Sequence, residues 1–280
     1  MKLQHENITI SNYYGKLNNS ATLVTYVQDN FKEIDENRKR PAVIICPGGA
    51  YVMTSAREAE PVALAFLSRG YHAFVLNYSV APTRYPNQLL ELAASLDLIR
   101  KNADKWNVDQ DALIVCGFSA GAHLTCSLGA FWQELWVSEA LGTVSEKLRP
   151  NAMILGYPVI TTGEFIHKGS FDALLGERPD KAMLRKLSLE NSVGPQTPPV
   201  FLWHTLNDAG VAVENSFLLA NALKQAGVSF EMHIYPSGRH GLSLATEESR
   251  SCMYEDSVNP AVASWLSLCD TWLRTQFPLK

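Results

Sequence analysis

The chain has 280 residues, of which 46% are hydrophobic and 19% are charged, and its formal net charge is -4. A chain of this length and composition can bury one sizeable core, so we expect a single domain over residues 1–280. The small acidic charge leaves no basic face for a phosphate backbone or an anionic membrane surface, and we expect neither nucleic acid nor a membrane as a partner.

Sequence motifs indicate the location and the cofactor requirement that we expect. The first ten residues have no apolar run of the kind found in a secretory signal, and no later stretch is apolar enough to span a membrane. We therefore expect a cytoplasmic protein. Its five cysteines are scattered, which is typical of reduced, packed thiols. Because His-x-x-x-His and paired Cys-x-x-Cys patterns and a Gly-x-x-x-x-Gly-Lys loop are missing, we expect no metal and no cofactor.

Short runs of β-branched and apolar residues alternate with amphipathic stretches between Pro41 and Phe277. This alternation predicts an α/β fold in which a mainly parallel sheet is covered by helices on both faces. Residues 7–10 and 21–27 precede it and have the pattern of an antiparallel pair of strands. The predicted core strands are residues 42–46, 73–78, 112–117, 152–157, 200–204 and 230–235.

Helix signals separate these strands. An early helix is indicated by a capping box formed by Ser55 and Glu58, with Gly70 at its C-terminal end. Three later helices are indicated by apolar residues at i, i+3, i+4 and i+7, which form core-facing stripes. The first apolar residues of these three patterns are Leu89, Leu219 and Val262. The helix that carries the last pattern is expected to start at Asn259 and Pro260.

One long stretch, residues 159–199, has no clear strand character. It contains four prolines from Pro179 onward and several glycines. Long segments of this kind in a compact domain usually carry function, so we expect an insertion that covers one end of the sheet over the active site.

A candidate nucleophile follows the predicted strand 112–117. Gly117-Phe118-Ser119-Ala120-Gly121 has the Gly-x-Ser-x-Gly pattern and opens a helix. A serine on a sharp strand-to-helix turn is strained, and small residues two positions before and after it let the chain turn without a clash. The helix N-terminus also directs free N–H groups at a developing oxyanion. We therefore predict Ser119 as the nucleophile rather than a simple helix N-cap.

A candidate oxyanion loop follows the first core strand. Pro47-Gly48-Gly49-Ala50 occupies the place where an acyl-transfer enzyme of this kind supplies backbone N–H groups to the tetrahedral oxygen. By analogy with the His-Gly-Gly-Gly loops of esterases, the donors would be the N–H groups of Gly49, Ala50 and Ala120. A plain Pro-Gly turn is the alternative interpretation.

The general base should lie in the loop after the last strand, downstream of nucleophile and acid. His240 lies there between two nearby glycines, and Asp208 ends the loop after the preceding strand, where it would orient the imidazole. Glu214 is the alternative carboxylate. Other histidines come too early, lie before or inside a strand, or are better suited to a structural role: His5, His72, His233, His204 and His123.

Together these motifs resemble the α/β-hydrolase esterases related to hormone-sensitive lipase and, more closely, bacterial carbohydrate esterases of the acetylxylan or feruloyl esterase type. The resemblance covers residues 41–244. It is carried by Pro47-Gly-Gly-Ala-Tyr51, Leu76-Asn-Tyr-Ser79 with Ala81-Pro82, Gly117-Phe-Ser-Ala-Gly-Ala-His-Leu124, Gly156-Tyr-Pro-Val159, Pro198-Pro-Val-Phe-Leu-Trp-His-Thr205 with Asp208, and Gly238-Arg-His-Gly241.

The resemblance implies the α/β-hydrolase fold and metal-independent hydrolysis of short acyl esters through an acyl-serine. The implied substrates are small-molecule or oligosaccharide esters, with acetyl groups on xylo-oligosaccharides the first expectation. The acid loop departs from the pattern, because Asn207 stands where a second aspartate is frequent and Leu206 precedes it.

Several alternatives stay open at this point. The same three side chains would serve a feruloyl esterase, an arylformamidase or a short peptidase, because the leaving group is not encoded in them. A non-catalytic ligand-binding protein is a further alternative, which the complete Ser–Asp–His set disfavours. A homo-oligomer is also open. Four aromatic residues near the motifs are candidates for stacking on a sugar ring, although such residues more often belong to the core: Tyr51, Phe118, Trp132 and Trp136.

Overall fold

The computed structural model describes residues 3–15, 17 and 21–278. Within these residues the strands are β1 (Leu3–Gln4), β2 (Asn7–Thr9), β3 (Thr22–Gln28), β4 (Arg40–Cys46), β5 (His72–Asn77), β6 (Val108–Phe118), β7 (Ala152–Gly156), β8 (Val200–Thr205) and β9 (Phe230–Tyr235). They form one sheet in the order β1-β3-β5-β4-β6-β7-β8-β9, with β2 also paired to β3.

The sheet is parallel from β5 through β4, β6, β7 and β8 to β9. Only its N-terminal edge is antiparallel among the described strands, where β3 pairs with β1, β2 and β5. The six predicted core strands and the predicted N-terminal pair are confirmed, with ends that differ by up to four residues. The two-residue strand β1 was not predicted, because so short a segment carries no periodicity.

The helices of the described chain connect these strands. They are α1 (Glu60–Leu67), α2 (Asn87–Lys101), α3 (Ala103–Trp106), α4 (Ala120–Phe131), α5 (Leu135–Leu141), α6 (Lys168–Leu175), α7 (Lys181–Leu187), α8 (Glu214–Gln225), α9 (Pro260–Ala263) and α10 (Trp265–Gln276). In the part of the chain that the structure describes, none of them is long and apolar enough to cross a membrane.

Two hydrophobic cores lie on opposite faces of the sheet. Successive residues of a strand point to opposite faces, so Ile44 and Val115 pack with α2, α4 and α8, whereas their neighbours Ile45 and Cys116 pack with α1 and α10. All four of these side chains are fully buried. Burial on both faces explains why the central strands are apolar runs without alternation, and the predicted fold class is confirmed.

The predicted capping box at Ser55 and Glu58 is wrong. Ser55 precedes a short 3-10 turn, its side chain makes no capping hydrogen bond within the described chain, and α1 begins only at Glu60. The carboxylate of Glu58 does not return to the backbone of Ser55. It accepts hydrogen bonds from Gly48 and Tyr157 instead, and this places it beside the candidate active site.

The segment 159–199 contains two helices, α6 and α7, that the sequence pattern did not indicate. Its first residue donates a backbone hydrogen bond to the carbonyl of Ser119 over 3.2 Å. Further along, the carbonyl of Leu187 accepts a hydrogen bond from Nε2 of His123 over 2.9 Å. The segment is therefore attached to the nucleophile turn and to the helix that follows it.

Helix α9 starts directly after Asn259, as predicted. A comparison of Asn259 with Ser55 tests which of the two residues caps a helix. Asn259 accepts hydrogen bonds from the N–H groups of Ala261 and Val262 over 3.1 and 3.2 Å. We expect Asn259→Ala to lower the free energy of unfolding by about 1 kcal/mol. Ser55→Ala is the matched control and should change it little, because Ser55 makes no cap bond. Equal losses in urea unfolding would contradict this assignment of the caps.

Candidate active site

The backbone of Ser119 is held in an unfavourable conformation at the turn between β6 and α4. Its φ and ψ are 53° and -119°, a region that costs a non-glycine residue roughly 1–3 kcal/mol. A Cβ at Gly117 would lie 2.3 Å from the carbonyl oxygen of Gly121, and one at Gly121 only 2.0 Å from that of Cys46. The two glycines are therefore required by close backbone approach, as the motif predicted.

Neighbouring strands hold this strained residue in place. The N–H of Ser119 donates to the carbonyl of Gly156 at the end of β7 over 3.0 Å. The carbonyl of Ser119 accepts from Val159 over 3.2 Å and from the N–H groups of Ala122 and His123 over 3.1 Å each. With its backbone satisfied on both sides, Ser119 presents its hydroxyl at the carboxyl edge of the sheet.

The structure brings the three predicted side chains together. Oγ of Ser119 lies 2.8 Å from Nε2 of His240, and Nδ1 of His240 lies 2.8 Å from Oδ2 of Asp208. Because a carboxylate only accepts hydrogen bonds, Nδ1 of His240 carries the hydrogen, and Nε2 of the neutral imidazole can accept the hydroxyl hydrogen of Ser119. This arrangement can move a proton from the serine to the histidine.

Asp208 is enclosed by donors, and its side chain is 0% exposed. Oδ1 accepts from the N–H groups of Gly210 and Val211 over 2.8 and 2.9 Å. On the other side, Nε2 of His204 lies 3.0 Å from the carbonyl of Val211 and 3.3 Å from Oδ2 of Asp208, so its hydrogen is shared between them. The alternative carboxylate, Glu214, begins α8.

These contacts shift the acidity of Asp208. Burial would raise its pKa, but hydrogen bonds from His204 and His240, the electrostatic interaction with His240 and the N–H of Val211 outweigh burial. The pKa of Asp208 therefore falls well below its ordinary value, and the group stays ionised beside the imidazole. His204 has a role that the sequence did not reveal, since it was expected to be structural only.

The departure at Asn207 has a structural explanation. Its Oδ1 accepts a hydrogen bond from the N–H of Gly238 over 2.8 Å, which ties the acid loop to the turn that carries His240. A Cβ on Gly210 would lie 2.7 Å from Cβ of His240, so this glycine permits the imidazole to approach the acid loop. Leu206 is 56% exposed and takes no part in these contacts.

The predicted oxyanion loop lies directly against the nucleophile turn, because a Cβ on Gly48 would be 2.9 Å from Cβ of Ser119. Gly49 and Ala50 have φ values of 129° and 55°, and the value is strained only at Ala50, because glycine adopts a positive φ without a clash. No oxygen among the described residues accepts a hydrogen bond from the N–H groups of Gly49, Ala50 or Ala120. Within the described chain these three N–H groups therefore have no acceptor, and they belong to the loop and the turn that adjoin Ser119.

The suggested sugar-stacking role is wrong for three of the four aromatic residues. Tyr51, Phe118 and Trp132 are at most 3% exposed, so no ring face is left for a sugar. Tyr51 instead donates its hydroxyl to Nδ1 of His123 over 2.9 Å. Trp136 is half-buried, and its ring packs edge-on against Tyr85.

Two further histidines lie near the site. His123 is fully buried, and burial lowers its pKa to about 4, in line with the packed role expected of it. His167, which no motif marks, caps α6 through its Nδ1. Burial and the electrostatic interaction with His240 lower the pKa of His167, whereas Asp208 raises it.

Metal ligands do not gather here. Within the described residues, no group of three or more His, Cys, Asp and Glu side chains could hold a metal ion. The arrangement combines a hydroxyl, an imidazole with its carboxylate and three N–H groups without an acceptor, and acyl transfer uses groups of these kinds.

Known proteins are similar to this chain in sequence and in fold. It is 39% identical over 219 residues to endo-1,4-beta-xylanase B of Butyrivibrio fibrisolvens and 30% identical over 240 residues to an acetylxylan esterase of Xylanibacter ruminicola. These matches cover 76% and 83% of this chain but only 34% and 46% of the two relatives. The chain thus spans a third to a half of the length of these curated relatives.

A solved structure matches over nearly the whole length. The acetyl ester-xyloside bifunctional hydrolase of Caldicellulosiruptor lactoaceticus is 38% identical with a TM-score of 0.84, and the match covers 96% of each chain. Fold and relatives together place the chain among the α/β-hydrolases, as predicted, beside proteins that are named as esterases. More narrowly, the chain belongs to the BD-FAE family, which it matches over residues 29–223.

The lowered pKa of Asp208 predicts a pH-dependent stability. A pKa below that of the unfolded chain means that the ionised group stabilises the fold above about pH 4 and that this contribution is lost as the pH falls towards the folded value. We expect the wild-type free energy of unfolding to exceed that of Asp208→Asn at pH 7 and the difference to shrink below about pH 4.

Urea unfolding across a pH series measures this difference. Ser119→Ala is the control, since it leaves Asp208 and its donors intact and should keep the wild-type pH dependence. A wild-type minus Asp208→Asn difference that stays constant with pH would show that Asp208 does not ionise differently in the folded protein.

Proposed function

We propose that the protein is a serine esterase that removes short acyl groups, acetyl first among them, from carbohydrate esters such as acetylated xylo-oligosaccharides. The observation that carries this proposal is the 2.8 Å approach of Ser119 Oγ to His240 Nε2, with Asp208 at 2.8 Å from the other ring nitrogen. These contacts occur on a strained strand-to-helix turn of an α/β-hydrolase fold.

The first half of the reaction forms an acyl-enzyme. Nε2 of His240 takes the hydroxyl proton of Ser119 as Oγ bonds to the ester carbonyl carbon, and the carbonyl oxygen becomes an oxyanion. The C–O bond to the sugar then breaks, and the leaving oxygen takes the proton from Nε2. Asp208 accepts the hydrogen bond from Nδ1 throughout and stabilises the imidazolium between these two transfers.

The second half regenerates the enzyme. Water attacks the acyl carbon while Nε2 of His240 takes one of its protons, and collapse of the second tetrahedral intermediate releases the carboxylic acid. Oγ of Ser119 recovers its hydrogen from the imidazolium. In both halves the N–H groups of Gly49, Ala50 and Ala120 are the donors we assign to the oxyanion, each of the kind whose removal typically costs a hundred- to a thousand-fold in turnover.

The substrate class rests on the relatives rather than on a bound ligand. Two of them carry names that refer to acetyl esters of xylan or xylosides, and a third is a xylanase. Acetyl is therefore the first acyl group that we propose at Ser119.

Removing the nucleophile tests the mechanism. We expect Ser119→Ala to lower turnover of an aryl acetate by a factor on the order of 10⁶, by analogy with loss of the nucleophile in subtilisin. A fluorophosphonate should label the wild type and leave folded Ser119→Ala unlabelled. A folded wild type that neither hydrolyses esters nor takes the label would support a non-catalytic, ligand-binding protein instead.

A panel of esters tests the acyl group. We expect kcat/KM for acetylated xylo-oligosaccharides and aryl acetate to exceed that for the matched butyrate and ferulate esters, with Ser119→Ala inactive on all of them. Faster hydrolysis of the ferulate ester would replace the acetyl assignment with a feruloyl one. Faster hydrolysis of an aryl formamide or a short peptide would move the proposal to an amide substrate.

A further inference from the structure

A second buried carboxylate, Glu58, lies beneath the oxyanion loop and takes no part in the row of Ser119, His240 and Asp208. Glu58 is 4% exposed. Oε2 accepts a hydrogen bond from the N–H of Gly48 over 2.7 Å, and Oε1 accepts one from the hydroxyl of Tyr157 over 2.6 Å. Both oxygens of the carboxylate are thus used by groups that border the site.

The peptide group between Pro47 and Gly48 is fixed from both sides. Its carbonyl accepts the hydroxyl of Tyr78 over 2.6 Å, while its N–H donates to Glu58. A planar peptide held at both its oxygen and its nitrogen cannot rotate about its neighbouring bonds. The N–H groups of Gly49 and Ala50 belong to the next two peptide groups of the chain, so the fixed peptide restricts where they lie.

Glu58 also reaches the side of the site that carries the base. The N–H of Ser243 donates to Oη of Tyr157 over 2.9 Å, so the hydroxyl hydrogen of Tyr157 is directed to Glu58. The ring of Tyr157 lies edge-on to the imidazole of His240, with 5.0 Å between centroids. Tyr157 has a φ of 36°, a strained value that such a set of contacts can hold.

We propose that Glu58 is a positioning residue that holds the N–H groups of Gly49 and Ala50 at a fixed place relative to Ser119 and His240. It joins the loop after β4, the residue after β7 and the loop after β9 through Gly48, Tyr157 and Ser243. The assignment rests on the proposed esterase function, because it concerns where the oxyanion donors lie when the tetrahedral intermediate forms.

The chain offers a matched control, since Asp97 is another buried carboxylate that accepts a tyrosine hydroxyl, that of Tyr14, over 2.6 Å. Asp97 lies on α2 and also accepts from Thr143 and Lys101, away from the oxyanion loop. Loss of either carboxylate disturbs a buried polar group, but only the loss of Glu58 should displace the oxyanion donors.

The first test is steady-state kinetics on an aryl acetate with Glu58→Gln and Tyr157→Phe, beside Asp97→Asn and Tyr14→Phe. We expect Glu58→Gln to lower kcat about 10- to 100-fold while KM changes less than about threefold, because a displacement near 1 Å can cost about 100-fold in rate. Tyr157→Phe should show a smaller loss of the same kind. The two control variants should keep the wild-type kcat per folded molecule.

The second test reads the oxyanion site without turnover. A trifluoromethyl ketone adds to the serine hydroxyl as a hemiketal whose oxygen occupies the oxyanion site, and its affinity should fall in Glu58→Gln by the same factor as kcat/KM. Unchanged kcat and ketone affinity would overturn the proposal, as would equal losses in Glu58→Gln and Asp97→Asn. If Ser119→Ala kept its activity, the esterase mechanism itself would fail, which is a distinguishable result.

Discussion

The left-handed backbone of Ser119 is the constraint on which the rest of the site depends. A residue with a φ of 53° persists only where its surroundings hold it, and here β7, the start of segment 159–199 and the first turn of α4 do so. Gly117 and Gly121 make this possible because any Cβ would strike backbone oxygens. The strain places the hydroxyl where it can meet an imidazole from a distant loop.

Parallel pairing explains why residues far apart in sequence meet. The strands β4, β6, β8 and β9 end at the same edge of the sheet, so the loops after them lie side by side. The oxyanion loop, Ser119, Asp208 and His240 each follow one of these strands. The succession of strands along the chain and the Gly-x-Ser-x-Gly motif were readable from the sequence, and the structure places these residues together. Local apolar runs and glycine spacing carry that information.

The supporting contacts could not be predicted in the same way. Glu58 and Tyr157 are 99 residues apart, and at Glu58 a local capping pattern competed with the long-range contact that the fold makes. Asn207 was seen as a departure, yet its bond to Gly238 depends on how two loops face each other. The sequence indicated that His204 lies at the end of a strand, but it did not indicate the contact of His204 with Asp208. Such contacts arise from tertiary packing, which periodicity and turn chemistry do not encode.

The central claim is that an acyl group passes through Ser119. Rapid quenching during turnover of a slowly deacylating aryl ester, followed by peptide mass spectrometry, tests it most directly. We expect an acyl adduct on the peptide that contains Ser119, formed in the wild type and absent from His240→Ala. Steady turnover with no adduct on this peptide, or with the acyl group on another side chain, would contradict it.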